Sequence, residues 1–375
     1  TSLALSAGTL RDTVPNNPNN VDLTLPSSNL ANNKAIVIDA VAPVISSITS
    51  STTNGTYGIG ANIDVTVNFS KNVTLSGGNL NVTLDTGAVV AIAPFTNANT
   101  ASGTYSVASG QSSADLNATN LALSAGTLRD TVPSSPNNAN LTLPSSNLAN
   151  NKALVIDGVA PTISSVTSAT ANGTYASGDT VNVTVNFSES VTLSAGTLDV
   201  TLNSGYTLHI APFSGTSASG TYTVQVGDTT SGAYLTASSV GTTGGTISDG
   251  ASNALSSFTI PPTQNIGDLK NIIIDGVLPA ITAAETLDVD HDGRIDYYKI
   301  TFNKNVKDST FPGYIANNLG SSQTDWLVAG HTSIVLAHGT AAPETDTIND
   351  NIIYLLFNEI STGYDTDSKP DLTTT

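Results

Sequence analysis

The residue pattern predicts an all-β chain arranged as a tandem array of two-sheet domains, and three observations carry the prediction. Apolar residues alternate with Thr, Asn and Ser at a period of two, as in half-buried strands. Short clusters rich in Gly, Asn and Ser punctuate that alternation. A long block of sequence also recurs at a fixed spacing, the signature of repeated domains.

The repeat sets the boundaries. Residues 1–40 and 119–158 differ at only seven of 40 positions and share LALSAGTLRDTVP, LTLPSSNLANNKA and VID. Val-Ala-Pro at 41–43 recurs at 159–161 and returns as Val-Leu-Pro at 277–279. Asp39, Asp157 and Asp275 therefore stand 118 residues apart, as do Phe69 and Phe187. The expected domains are residues 1–39, the closing strands of a preceding repeat; 40–157 and 158–275, two full repeats; and 276–375, a divergent and incomplete repeat. Proline has a fixed φ and no N–H, so each Asp-x-Val-x-Pro junction ends one strand and stiffens the link to the next domain. The polypeptide is expected to continue past both ends. The alternative is that residues 1–39 complete the last repeat of a neighbouring chain by strand complementation.

Within the second repeat, strands are expected near 163–168, 181–187, 198–202, 207–211, 221–226, 235–240 and 271–274. Val181, Val183, Val185 and Phe187 alternate with Asn182, Thr184 and Asn186. Leu198, Val200 and Leu202 repeat the pattern, as do Tyr222, Val224 and Val226. Seven short alternating strands in this length read as an immunoglobulin-like two-sheet β-sandwich.

The chain has 375 residues, enough for about three such domains. Its 29 acidic residues against 11 Lys and Arg leave a net charge of -18. Nucleic acid and anionic lipid would be repelled, whereas divalent cations would be attracted. The same acidity also serves plain solubility. Cys and Met are both absent, which rules out disulfides and thiolate chemistry. The most apolar run, residues 352–357, is too short to cross a bilayer. The first residues lack the basic start and apolar core of a signal peptide, so any export signal or anchor is expected to lie outside this stretch or to be absent.

The phrases VIDGVAPTISSVTS, SGDTVNVTVNFSESVTL and NKALVIDGVAP resemble the bacterial Ig-like tandem repeats of very large cell-surface proteins and adhesins. Similar arrays occur in some surface-layer proteins. The resemblance is close over residues 1–275 and looser beyond, where Trp326 and an insertion around 308–349 depart from it. It implies an Ig-like fold and an extracellular or cell-surface setting, but no particular ligand.

Two acidic groupings carry possible chemistry. Asp288, Asp290, Asp292 and Asp296 fall at positions 1, 3, 5 and 9 of a DxDxDG loop, with Gly293 at the sharp turn and Arg294 at position 7. Alternate carboxylates in such a loop converge on one hard cation, so Ca2+ is the expected ligand. Position 12 is Lys299 in place of the usual Glu, and the next residues read as a strand. Asp365 and Asp367 are candidates to complete the shell. The plain alternative is a solvated acidic turn. The second grouping is the junction set Asp157, Glu189 and Asp249, where a cation would stiffen the link. There the plainer reading is that the junction Asp residues cap turns by accepting amide hydrogen bonds.

Catalytic constellations are thin. His209 falls on an outward-facing strand position, while His331 and His338 flank one strand. No nucleophile elbow, P-loop or HExxH appears. Sequons at Asn54, Asn72, Asn172 and Asn186 are expected by chance in so Asn- and Thr-rich a chain. The expected function is a non-enzymatic, calcium-stiffened stalk or spacer of an adhesin-type surface protein. Its partners would be neighbouring repeats or copies of itself, with host or cell-surface ligands bound through other parts of the chain. The alternative is a self-assembling subunit of an extracellular filament or surface layer.

Overall fold

The computed structural model describes residues 2–28, 30–289, 296–307, 347 and 349–355 in full. It describes the backbone alone of 327–328, 334–337, 356–357 and 372–373. Strands dominate throughout, and helix is limited to single turns. The chain divides into two compact units, one of residues 1–161 with 248–256 and one of residues 162–247 with 257–375.

In the first unit, alternation builds the core. The strand Asn62–Ser76 buries Ile63, Val65, Val67 and Phe69 and, past a bulge where its pairing with Phe95–Ser106 shifts register, buries Val73 and Leu75 on the same parity. It is flanked by Ile45–Thr49 and Phe95–Ser106, with Thr127–Asp130 paired to its far end. A second sheet holds Val89–Ile92, Leu80–Leu84 and Ala118–Leu123, and a third holds Gly55–Tyr57, Leu154–Asp157 and Ser112–Ser113. Their inward side chains form one apolar cluster, including Ile48, Leu80, Leu116, Leu148 and Leu154, all 0% exposed. Each contributes roughly 1.5–3 kcal/mol by leaving water.

The second unit repeats this plan. Thr180–Leu193 is flanked by Ile163–Thr167 and Phe213–Thr223, and Thr197–Leu202 by Thr207–Ile210 and Ala237–Thr243. These match most of the expected strands to within a few residues. Elements of two kinds were not anticipated. Gly173–Ala176 forms a strand because it meets Ile272–Asp275 in parallel register. Leu148–Asn151 and Ile266–Leu269 form single helical turns, capped by the Asn147 and Asn265 side chains. A further sheet of residues 281–357 orders Ile281–Leu287, Tyr297–Phe302, Ile352–Phe357 and Ile334–Ala337, all antiparallel.

Residues 1–39 behave differently from their near-copy at 119–157. Among their described residues the regular structure is one helical turn, Leu30–Asn33, and an isolated bridge between Arg11 and Asn20. The same letters form strands at 118–123, 127–130 and 154–157, where the preceding strands supply ladder partners. A strand needs a neighbour for its amides, and residues 1–39 have none in the described structure.

Candidate functional site

The period-two register places one charged residue in each long strand on the core-facing parity. In Asn62–Ser76, Phe69 and Val73 are buried and Lys71 lies between them at the bulge. An ionised side chain with this parity requires partners. Lys71 Nζ donates to Asp39 Oδ2 at 2.7 Å and to the Val41 carbonyl at 2.5 Å. Its distance to Asp130 Oδ2 is 3.5 Å.

Asn137 closes the arrangement: Nδ2 donates to the Asp39 carbonyl (3.1 Å) and to Asp130 Oδ2 (2.8 Å). Four side chains thus clasp the Asp39 junction. The Lys71 ammonium, first by its hydrogen bond, holds the Asp39 carboxyl below its ordinary range, and Asp39 in turn raises Lys71. Burial pushes Asp130 upward, but the Asn137 hydrogen bonds and the Lys71 charge outweigh it and leave the net direction downward.

The third junction is built alike within the second unit. Lys304 stands two residues after Phe302, as Lys71 stands two after Phe69. Its Nζ donates to both Asp275 carboxylate oxygens and to the Val277 carbonyl, each at 2.7 Å. Gly276 is pinned by a 2.7 Å bond from its amide to the Asp228 carbonyl. The Asp228 carboxylate accepts from the buried Tyr222 hydroxyl at 2.6 Å. Burial, then this bond, raises Tyr222 far above the usual phenol range.

The second junction departs from both. In the first unit, Asn253 Nδ2 donates to the Asp157 carbonyl (2.7 Å) and to Asp249 Oδ2 (2.8 Å), reproducing the Asn137 clasp. The carboxylate oxygens of Asp157 and Asp249 lie within 4.8 Å of each other. Asp249 is 8% exposed and also accepts the Ala251 and Asn253 amides. Asp157 accepts the Val159 amide at 3.2 Å. The turn-capping expected of these acids is therefore present. Glu189, in the second unit, lies at the bulge of Thr180–Leu193 two residues after Phe187, the spacing at which Lys71 follows Phe69 and Lys304 follows Phe302.

In sequence the DxDxDG stretch lies between the paired strands Ile281–Leu287 and Tyr297–Phe302. Asp288 and Asp296 flank its neck, where the Asp296 carboxylate accepts the Val289 amide. Asp290, Asp292 and Arg294 lie outside the described residues, as do Asp365 and Asp367. His209 projects from its strand 62% exposed, and its Nδ1 lies 2.7 Å from Asp199 Oδ1. The Thr243 hydroxyl, ahead of His209, draws Asp199 below its usual value. A groove of about 480 Å³ in the second unit is lined by Ala237, Val240, Phe258, Asn265 and neighbouring hydroxyl residues. No helix among the described residues is long and apolar enough to cross a membrane.

The sequence marks Lys71 only as the residue standing where Glu189 would be, which makes its junction the weaker cation candidate, and Lys304, Asn137 and Asn253 were passed over. A signal was present, since Lys71 and Glu189 share the parity of buried neighbours on both sides. No family model matches the chain, and no curated protein matches it.

Proposed function

We propose that the chain is a non-enzymatic structural array of Ig-like sandwiches, a stalk or spacer in an extracellular surface protein whose junctions are stiffened by cations. The observation that carries this reading is the clasped junction. Asp39 and Asp275 are each held by a lysine placed two residues after a core phenylalanine. Short proline-ended links held by half-buried polar contacts suit a part that must transmit position rather than perform chemistry.

In the repeat's sequence Glu189 stands where the other two carry that lysine, and within the first unit the Asp157–Asp249 pair gathers negative charge. The proposed role of Ca2+ follows. A hard cation taken from solution replaces the missing ammonium, as oxygen-rich sites allow. The DxDxDG loop supplies a second candidate through Asp288 and Asp296.

Calorimetry with Ca2+ and with excess EGTA tests the reading. Calcium should raise a thermal transition, and Glu189→Lys should raise it without calcium and abolish the part of the calcium response that belongs to the second junction. Conversely, Lys71→Glu should make the first junction calcium-sensitive. Identical melting in Ca2+ and EGTA for all three proteins would remove the cation from the proposal.

A further inference from the structure

The two Asn-Gly steps of the chain, Asn54-Gly55 and Asn172-Gly173, stand 118 residues apart, at the same place in successive repeats. Such a step is chemically labile. Glycine has no Cβ, so its backbone nitrogen can approach the side-chain carbonyl of a preceding asparagine with little hindrance. That nitrogen gives up its proton and bonds to the asparagine Cγ, the bond from Cγ to the amide nitrogen breaks, and ammonia leaves with the proton. Water then opens the five-membered imide at either carbonyl, giving aspartate or its isoaspartyl isomer. The reaction needs water and the freedom of the two reacting groups to meet.

In both repeats one residue restrains both groups. The Gly55 amide donates to the Ala153 carbonyl at 3.1 Å, and Asn54 Oδ1 accepts the Ala153 amide at 3.2 Å. The Gly173 amide donates to the Asn271 carbonyl at 3.0 Å, and Asn172 Oδ1 accepts the Asn271 amide at 3.0 Å. A further restraint lies just upstream. The Tyr57 hydroxyl donates to the Thr53 carbonyl at 2.6 Å, and the Tyr175 hydroxyl to the Ala171 carbonyl at 2.8 Å. Both asparagines and both glycines are exposed, so water reaches them and hydrogen bonding alone holds them.

Ala153 and Asn271 lead into the strands Leu154–Asp157 and Ile272–Asp275, which close their repeats. Those strands pair in parallel with Gly55–Tyr57 and Gly173–Ala176. Short pairings of this kind open locally without unfolding the rest of a domain.

We propose that Asn54 and Asn172 are deamidation sites gated by these closing strands, so that detachment of a strand is recorded as a permanent chemical change. While the strand is paired, the glycine nitrogen keeps its proton on a carbonyl and the asparagine side chain is tethered away from it. When the strand leaves, both are released together. The product carries a new carboxylate at the start of the ladder, and the isoaspartyl form adds a carbon to the main chain there. Either change weakens the return of the strand, through lost side-chain bonding or shifted register. The proposal goes beyond the spacer reading and does not depend on cations at the junctions.

The test incubates the full chain in neutral buffer, natively and in denaturing urea, and follows conversion at each site by peptide mapping with mass spectrometry. Both sites should convert more slowly in the native chain, by roughly tenfold or more, because only the locally opened fraction reacts. Ala153→Pro removes the amide that holds Asn54 and keeps the carbonyl that holds Gly55. Lys152 before it already has φ -145° and ψ 146°, a conformation favoured before proline. This variant should speed conversion at Asn54 and leave Asn172 at the parent rate. Asn271→Pro, preceded by Lys270 at φ -141° and ψ 146°, should do the reverse. Should either proline unfold its unit, the parent chain in sub-denaturing urea decides the matter: conversion should climb before the global transition seen by circular dichroism. Native rates equal to those in denaturing urea, folded proline variants without site-selective acceleration, or rates that follow only the global transition would each overturn the proposal. Converted chains should melt below the parent, and unchanged melting would overturn the claim that return of the strand is weakened.

Discussion

Lys71 occupies a position where the two-residue period would place an apolar side chain. Its tolerance there rests on Asp39 and Asp130, and theirs on it. Lys71→Met should lower the melting temperature of the first unit, because two carboxylates lose the charge between them while the apolar stem is retained. Thermal unfolding followed by circular dichroism reads the shift. The acid limb of stability follows from the same contacts. Asp39 and Asp130 both have folded pKa values below their unfolded ones. Their contribution is therefore complete above about pH 4 and is lost as pH falls through the folded values. Lys71 runs in the other sense, contributing below about pH 10.5 and losing that contribution as pH rises through its raised value. Urea midpoints between pH 2 and pH 6 should fall less steeply in Lys71→Met than in the parent chain.

At the scale of the element, burial and close approach dominate. Leu148 and Leu30 are the same residue in nearly the same local sequence, one wholly buried and the other 68% exposed. Leu148→Ala should cost about 2–5 kcal/mol. Leu30→Ala should change stability by less than about 0.5 kcal/mol. Denaturant titrations of the two variants make the comparison. Gly276 is a second element-scale constraint, because a Cβ there would overlap the Gln225 carbonyl oxygen. Gly276→Ala should destabilise the second unit by about 1–3 kcal/mol through overpacking, measured by the same titration. The strands around Val181–Phe187 and Leu198–Leu202 were legible because their alternation is unbroken. The strand Phe213–Thr223 was legible only in part, since its burial pattern is mostly exposed and its Ser and Thr residues do not advertise a core face.

Across the whole molecule, the net charge of -18 sets the background. Self-repulsion weakens with ionic strength, so added NaCl should raise melting gradually in every variant. A calcium effect at the second junction should instead saturate with occupancy and vanish in Glu189→Lys. Matched titrations with NaCl and CaCl2 separate the two.

The 118-residue repeat, the β pattern and the junction prolines were readable from residues 1–40 and 119–158 alone, because period and local turn chemistry are properties of the chain itself. The two copies then diverge in structure despite 33 shared positions of 40. Residues 119–157 become strands because residues 45–113 offer them ladders and a core, and residues 1–39 find neither within the described structure. The clasp of Lys71, Asp39, Asp130 and Asn137 joins residues nearly a hundred positions apart. Sequence determined which residues alternate; only the packing of distant strands decided which charges meet, since hydrogen bonds and burial depend on a partner that no local pattern names.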